Sequence, residues 1–125
     1  MSNIRTMRIN IKNPQMDILK EAVRLIAQQY GLEIVSTVSD YYGRTREVPI
    51  ALRGKGLTRG IGFNISGENI EVIGDSYGQP LYMEIANSIN QYYIAAQHVT
   101  ALTALGYRCL VTLEQDKVVV TAMEV

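Results

Sequence analysis

The sequence predicts an α+β fold of two layers, in which a mainly antiparallel sheet of about seven strands carries two helices on one face. Two amphipathic helical segments and several short runs of alternating apolar and polar residues, separated by turn signals, support this prediction. A sheet of this kind buries one face under helices and leaves the other free. The 125 residues are expected to form a single α+β domain over residues 1–125.

The longest predicted element is a helix from Pro80 to Leu105, which would measure about 39 Å. Its apolar positions recur at steps of three or four, and Gly106 ends it. These positions are Ile85, Ile89, Tyr92, Ala96, Val99 and Leu102. Alanines in its second half favour close packing, either within the domain or between subunits. A shorter helix is predicted over residues 14–30, with Asn13 as N-cap, Pro14 in the first helical position and Gly31 as the stop.

Seven strands are predicted from alternation and β-branched residues. They cover residues 7–11, 32–38, 48–52, 61–65, 70–72, 107–113 and 118–123. Pro49 lacks a ladder donor, so its strand is expected to lie at an edge or to be distorted there. Residues 54–60 are expected to form a flexible basic loop. The order of elements indicates a weak duplication of a βαββ unit. Alternatively, the similarity arises only because few element orders build a two-layer fold.

The amino-acid composition excludes several classes of protein. Apolar residues make up 47% and charged residues 19%, and no apolar run approaches the length of a membrane span. The first five residues lack the pattern of a signal peptide, so a cytoplasmic location and no membrane partner are expected. Residues 1–59 contain ten Lys or Arg and five Asp or Glu, whereas residues 60–125 contain two and seven. Two faces of opposite sign, or scattered solvated charges, both fit this asymmetry.

The most informative constellation combines tyrosines with basic residues between positions 41 and 59. Tyrosines could stack on bases while arginines meet phosphates, which is the chemistry of a site for single-stranded nucleic acid or another anion. An ordinary solvated turn is the competing interpretation. The candidate anion-binding or nucleic-acid-binding residues are Tyr41, Tyr42, Arg44, Arg46, Arg53, Lys55 and Arg59.

Protein association is the favoured functional class. The chain has eight tyrosines and five methionines, which is more amphipathic contact surface than a small core needs. The tyrosines in or beside loops and the long helix are Tyr41, Tyr42, Tyr77, Tyr82, Tyr92 and Tyr93. A non-enzymatic binding or scaffold domain that contacts itself or another protein is therefore expected, with nucleic-acid binding as the alternative.

Catalytic and metal signals are weak. A second alternative is a small hydrolase that uses Glu71, Asp75 and Glu84, although each carboxylate has a sufficient structural explanation, with Glu71 expected to face solvent. His98 has no cysteine or carboxylate at helical spacing, so it is expected to face solvent or to be hydrogen-bonded. Cys109 lies in an apolar run and is expected to be buried and inert. No cofactor, no metal and no catalytic residue is predicted.

Several short segments resemble the family of hypothetical chloroplast reading frame 35. They are Met1 and Ser2, the run at Ile9, Ile11 and Lys12, Tyr42 to Thr45, Ile61 to Phe63, and Ile89 to Tyr92 leading to Gly106 and Tyr107. The resemblance covers nearly the whole chain. It implies a domain of unknown function and supplies no catalytic residues, because the family has no established activity.

Overall fold

The computed structural model describes residues 3–125, so Met1 and Ser2, which open the family resemblance, lie outside the described residues. Its elements are β1 (Arg5–Asn10), α1 (Met16–Tyr30), β2 (Glu33–Ser39), β3 (Thr45–Gly54), β4 (Leu57–Ser66), β5 (Asn69–Gly74), α2 (Tyr82–Ala104), β6 (Arg108–Glu114) and β7 (Lys117–Met123). All strand pairings are antiparallel. The predicted α+β class, with two helices and seven strands, is confirmed.

The strands expected in one sheet divide between two sheets. Five form a sheet in the order β1-β5-β4-β3-β2, and β6 pairs only with β7. The second hairpin packs instead on the helices, where Val111, Val118 and Val120 meet the main core. The two βαββ units therefore share an order of elements, but their hairpins occupy different places.

The two helices pack on the five-stranded sheet and on each other. Helix α1 begins two residues later than predicted: its N-cap is Gln15, with no side-chain cap, and not Asn13. The Gln15 N–H instead donates to the hydroxyl of Tyr93 on α2 at 2.9 Å. A donor left open at a helix start is thus satisfied by the neighbouring helix. The predicted glycine stops are confirmed, since Gly31 and Gly106 have φ of 65° and 92°.

Pro49 lies in an interior strand, because β3 runs between β4 and β2. The pairing of β2 with β3 shifts register between Val35 and Thr37, and Val35 pairs with Ala51 while Thr37 pairs with Glu47. The irregularity therefore falls opposite Pro49, where no ladder donor is required. Of the two expectations for this strand, the distorted one is confirmed and the edge one is wrong.

The tip of the β2–β3 hairpin folds over the sheet face that lies opposite the helices. Val38 of β2 and Val48 of β3 form a second buried cluster with Ala51 and Ile73. A Cβ at Gly62 would lie 2.9 Å from Cγ2 of Val48 and 3.2 Å from Cγ1 of Val38. The tip thus rests directly on the backbone of β4 and covers part of a face that was expected to be free.

We expect Gly62→Ala to lower the free energy of unfolding by about 1–3 kcal/mol, because its methyl group would collide with branched side chains that cannot turn away. Urea denaturation measures this loss. Ser66→Ala, at the exposed end of the same strand, is the control and should change little. Val48→Ala should make room, so that the double variant Gly62→Ala with Val48→Ala is more stable than the sum of the two single losses predicts. Strict additivity would contradict this packing.

Candidate binding surfaces

Three exposed tyrosines meet at one end of the five-stranded sheet. Tyr41 and Tyr42 lie in the β2–β3 turn and Tyr77 lies in the β5–α2 loop, with exposed fractions of 64%, 70% and 60%. The Tyr41 ring stands edge-on to those of Tyr42 and Tyr77, with centroids 5.6 and 6.3 Å apart. The folded-over hairpin tip brings these distant segments together. We call Tyr41, Tyr42, Tyr77, Arg44 and Arg59 the tyrosine surface.

Arg44 is held by a buried carboxylate beneath the turn. Its guanidinium lies over the Tyr42 ring at 5.7 Å, and its Nε donates to Oδ2 of Asp40 at 2.6 Å. Asp40 is only 3% exposed, and its Oδ1 accepts the backbone N–H groups of Tyr42 and Arg44 at 2.9 and 3.0 Å. The carboxylate therefore shapes the turn and also neutralises the arginine charge.

The pKa of Asp40 reflects opposing effects. Desolvation acts to raise it, but the N–H donors of Arg44 and Tyr42, together with the Arg44 charge, outweigh that effect and hold the pKa below the ordinary value of 3.8. Asp40 is therefore ionised at neutral pH.

Arg59 is held in a similar way by the β5–α2 loop. Its guanidinium lies over the Tyr41 ring at 5.8 Å and 3.6 Å from Oδ2 of buried Asp75, and it also donates to the Tyr77 carbonyl. Buried Gln79 accepts the Arg59 backbone N–H at 2.8 Å and donates to the carbonyls of Gly60 and Asp75. This polar network fixes the loop that carries Tyr77.

Burial around the same loop affects another tyrosine. Desolvation, with a smaller contribution from the charge of Asp75, raises the pKa of Tyr82 to about 12. Tyr82 lies against Gly74, where an added Cβ would be 2.8 Å from its ring. It is thus a neutral core residue beneath the tyrosine surface.

The other predicted basic residues have different placements. Arg53 donates to the carbonyl and the hydroxyl of Thr37, so it ties β3 to β2. Arg46 is exposed in β3, and Lys55 is exposed in the short turn between β3 and β4. The prediction of a flexible loop over residues 54–60 is wrong, because Gly54 pairs with Leu57 and closes a tight hairpin. The structure thus unites Tyr41, Tyr42, Arg44 and Arg59 but not the whole predicted set.

The tyrosines expected to supply contact surface divide into two groups. Tyr82, Tyr92 and Tyr93 are 6%, 1% and 1% exposed, so they belong to the core. Sequence reasoning placed Tyr77 among the contact tyrosines but did not connect it to Tyr41, and it missed Gln79. The available signal was the run Asp75, Ser76, Tyr77 and Gly78, which interrupts the alternating apolar pattern between β5 and α2.

The three carboxylates of the hydrolase alternative do not line a common cleft. Glu71 is buried on β5, contrary to its expected exposure, because Arg8 and Asn64 flank it at 3.5 and 3.2 Å. Asp75 accepts the Tyr77 N–H at 3.0 Å, as expected for aspartate in a turn. Asp75 and exposed Glu84 line different clefts. Across residues 3–125, no group of three His, Cys, Asp or Glu side chains is placed to hold a metal ion.

His98 is exposed on α2, which confirms its predicted position. Cys109 is only half-buried, so its expected full burial is wrong. It lies near one end of the β6–β7 hairpin and faces a cleft beside α1. Its chemical inertness stays a prediction.

The β6–β7 hairpin forms a second exposed surface. Val111 pairs with Val120 and Leu113 with Val118, and these pairs face the helices. Leu110 pairs with Thr121 on the opposite, solvent-facing side. The apolar residues on or beside this exposed surface are Leu110, Met123, Tyr107 and Leu105, with exposed fractions of 53%, 42%, 36% and 75%. Of the helices described, none is long and apolar enough to cross a bilayer.

Comparison with known proteins finds no matching family model, no matching curated protein and no matching solved structure. The resemblance to the reading frame 35 family therefore stays a prediction.

We expect Asp40→Asn to be less stable than the parent at neutral pH, and we expect the difference to shrink as the pH falls. A lowered folded-state pKa stabilises the fold above the unfolded value near 3.8, and that contribution is lost as the pH falls through the folded value. Urea unfolding of both proteins from neutral pH to about pH 3 measures the difference. A constant difference over this range would contradict the assigned role of the carboxylate.

Proposed function

We propose that this chain is a non-enzymatic binding domain that acts through protein association, with the β6–β7 hairpin as its contact surface. The observation that carries the proposal is a two-stranded sheet joined to no other strand of residues 3–125. Two strands alone are marginally stable in water, and an open strand edge is a template for pairing with another chain. The hairpin thus has an open edge, and its outer face carries the apolar side chains of Leu110, Val119 and Met123 among polar and charged ones.

The outer face of the hairpin supports the same proposal. Leu110 and Met123 project from it beside the partly buried Val119. Apolar residues exposed singly are common on protein surfaces, but these lie side by side on one small sheet. Leu105 and Tyr107, at the end of α2, extend the apolar area toward the first residue of β6.

The tyrosine surface offers a second place for contact. Tyrosine and arginine are enriched in the central parts of protein interfaces. Both arginines are paired with buried carboxylates, so the surface is aromatic and close to neutral in charge. This balance favours a protein partner over a polyanion.

Single-stranded nucleic acid is the second candidate ligand, and the tyrosine surface supports it. The three exposed rings, two of which stand edge-on to Tyr41, could receive unstacked bases, which bind aromatic side chains without strong sequence preference. Arg46, exposed on β3 two residues after Arg44, would supply a phosphate contact. The carboxylates that pair with Arg44 and Arg59 weaken this candidate.

We expect the parent chain to have a mass above its 14.0 kDa monomer at micromolar concentration, measured by light scattering. Leu110→Lys should raise the dissociation constant about tenfold or more, because it places a charge in a desolvated contact. Met83→Lys is the matched control, since Met83 is similarly exposed at 47% but lies on α2. A parent that remains monomeric, or equal effects of the two variants, would contradict the use of the hairpin.

For the second candidate, we expect the parent to bind a short oligothymidine at low salt, measured by fluorescence anisotropy. Tyr41→Ala with Tyr77→Ala should weaken binding by about 1–3 kcal/mol per lost stacked base. Arg44→Ala with Arg46→Ala should also reduce the dependence of binding on salt. Tyr107→Ala, which removes an exposed tyrosine outside this surface, is the control. Absence of binding at low salt would end this candidate.

A further inference from the structure

We propose that the partner is a second copy of this chain, joined through the outer edge of β6 in antiparallel orientation. The strands would then follow one another as β7 and β6 of one protomer, then β6 and β7 of its partner, in a single four-stranded sheet. This inference rests on the proposed function and deepens it by naming the partner, the edge and the register. A two-fold axis would pass beside Val111.

The geometry of the turn determines which backbone groups face outward. Glu114 and Lys117 are paired across the two turn residues Gln115 and Asp116, whose φ angles are 49° and 63°. In such a hairpin the pair that flanks the turn exchanges hydrogen bonds, and the next pair does not. Alternation then directs the N–H and C=O groups of Cys109, Val111 and Leu113 to the outer edge of β6. On β7 the outward groups belong to Val118, Val120 and Ala122.

The outer edge of β7 already has one of its backbone donors in use. The Val118 N–H, one of its outward donors, donates to Oε1 of Gln91 on α2 at 3.2 Å. The same contact supports the assignment of outward groups made above. The outer edge of β6 pairs with no other strand of residues 3–125, so β6 is the edge able to accept a strand.

The sequence of β6 is self-complementary in that orientation. A two-fold axis at Val111 pairs Val111 with Val111 of the partner subunit and Cys109 with Leu113 of the partner subunit. These are the residues whose backbone groups point outward, so each donor meets an acceptor. Pairing about Leu110 or Thr112 would also set outward-pointing residues opposite one another, so the side chains must select among these registers.

Charge matches the same register. Arg108 falls opposite Glu114 of the partner subunit, and by symmetry the pair occurs twice. Both side chains are exposed on the outer face, and opposite charges on directly facing residues stabilise a pair of strands. Arg108 and Lys117 are the two Lys or Arg after residue 59. Antiparallel pairing of β7 with itself about Val120 would set Lys117 opposite Met123, with no such match.

A cleft lies where the added strand would sit. It has a volume of about 330 Å³ and lies between α1, Val99 of α2 and the β6 segment around Cys109 and Val111. Inward-facing side chains of an added strand would enter this cleft. The partly buried Cys109 would then be enclosed between α1 and the second copy.

Charge reversal tests the register. Arg108→Glu and Glu114→Arg each convert two attractive pairs into two repulsive ones, so each variant alone should dissociate at a concentration at least about tenfold higher than the parent. The double variant Arg108→Glu with Glu114→Arg should recover the parent affinity. Equal mixing of the two single variants should yield a heterodimer, because every facing pair is then opposite in charge. Native mass spectrometry and sedimentation equilibrium measure these states.

Matched controls separate this register from general effects of charge. Lys12→Glu and Glu68→Arg reverse exposed charges in loops outside the hairpin and should leave the dimer unchanged. Circular dichroism and urea unfolding should show that all variants fold.

Three results would overturn the inference, and they differ in what they mean for the proposed function. If the parent dimerises but neither the reversals nor their mixture has an effect, while Leu110→Lys still dissociates it, the register is wrong and association through the hairpin stands. If Leu110→Lys also has no effect, the hairpin is not the contact. If the parent is monomeric throughout, self-association fails altogether.

Discussion

The close approach of the β2–β3 hairpin tip to β4 is the constraint on which much of this structure depends. Gly62 leaves no side chain between the backbone of β4 and the methyl groups of Val38 and Val48. The tip can therefore cross the sheet face opposite the helices and cover Ala51 and Ile73. The same crossing carries Tyr41 to the end of β5, where it meets Tyr77. The absence of a side chain at Gly62 thus allows both the second buried cluster and the tyrosine surface to form.

Local signals in the sequence were sufficient for most elements. Hydrophobic periodicity identified both helices, and glycines at positions 31 and 106 marked where they end, because a left-handed residue there satisfies the last carbonyl groups. The N-terminus of α1 was placed too early because Asn13 and Pro14 match the local rule for a helix start. The Gln15 N–H instead donates to the hydroxyl of Tyr93, which is far away in sequence. Long-range hydrogen bonds of this kind leave no local pattern.

The candidate site was only partly predictable for the same reason. Tyr41, Tyr42 and Arg44 are neighbours in sequence, so their grouping was visible, and Arg59 joins them through the fold. The ion pair of Arg59 could not be predicted from the sequence, because its partner Asp75 is sixteen positions away. Asp40 and Arg44 could have been paired by proximity, but burial of the aspartate depends on the folded hairpin tip. These carboxylates change the chemistry of the surface from cationic to nearly neutral.

The contact between Gln91 and Val118 has a consequence for the kind of assembly this hairpin permits. Strand addition that can continue at both edges of a sheet produces open fibres, whereas a two-fold contact at one edge produces a closed particle. Here a side-chain amide of α2 uses the Val118 donor at the β7 edge, so the proposed strand pairing would proceed from β6 alone. The proposed dimer would therefore be a closed particle and would not seed a fibre.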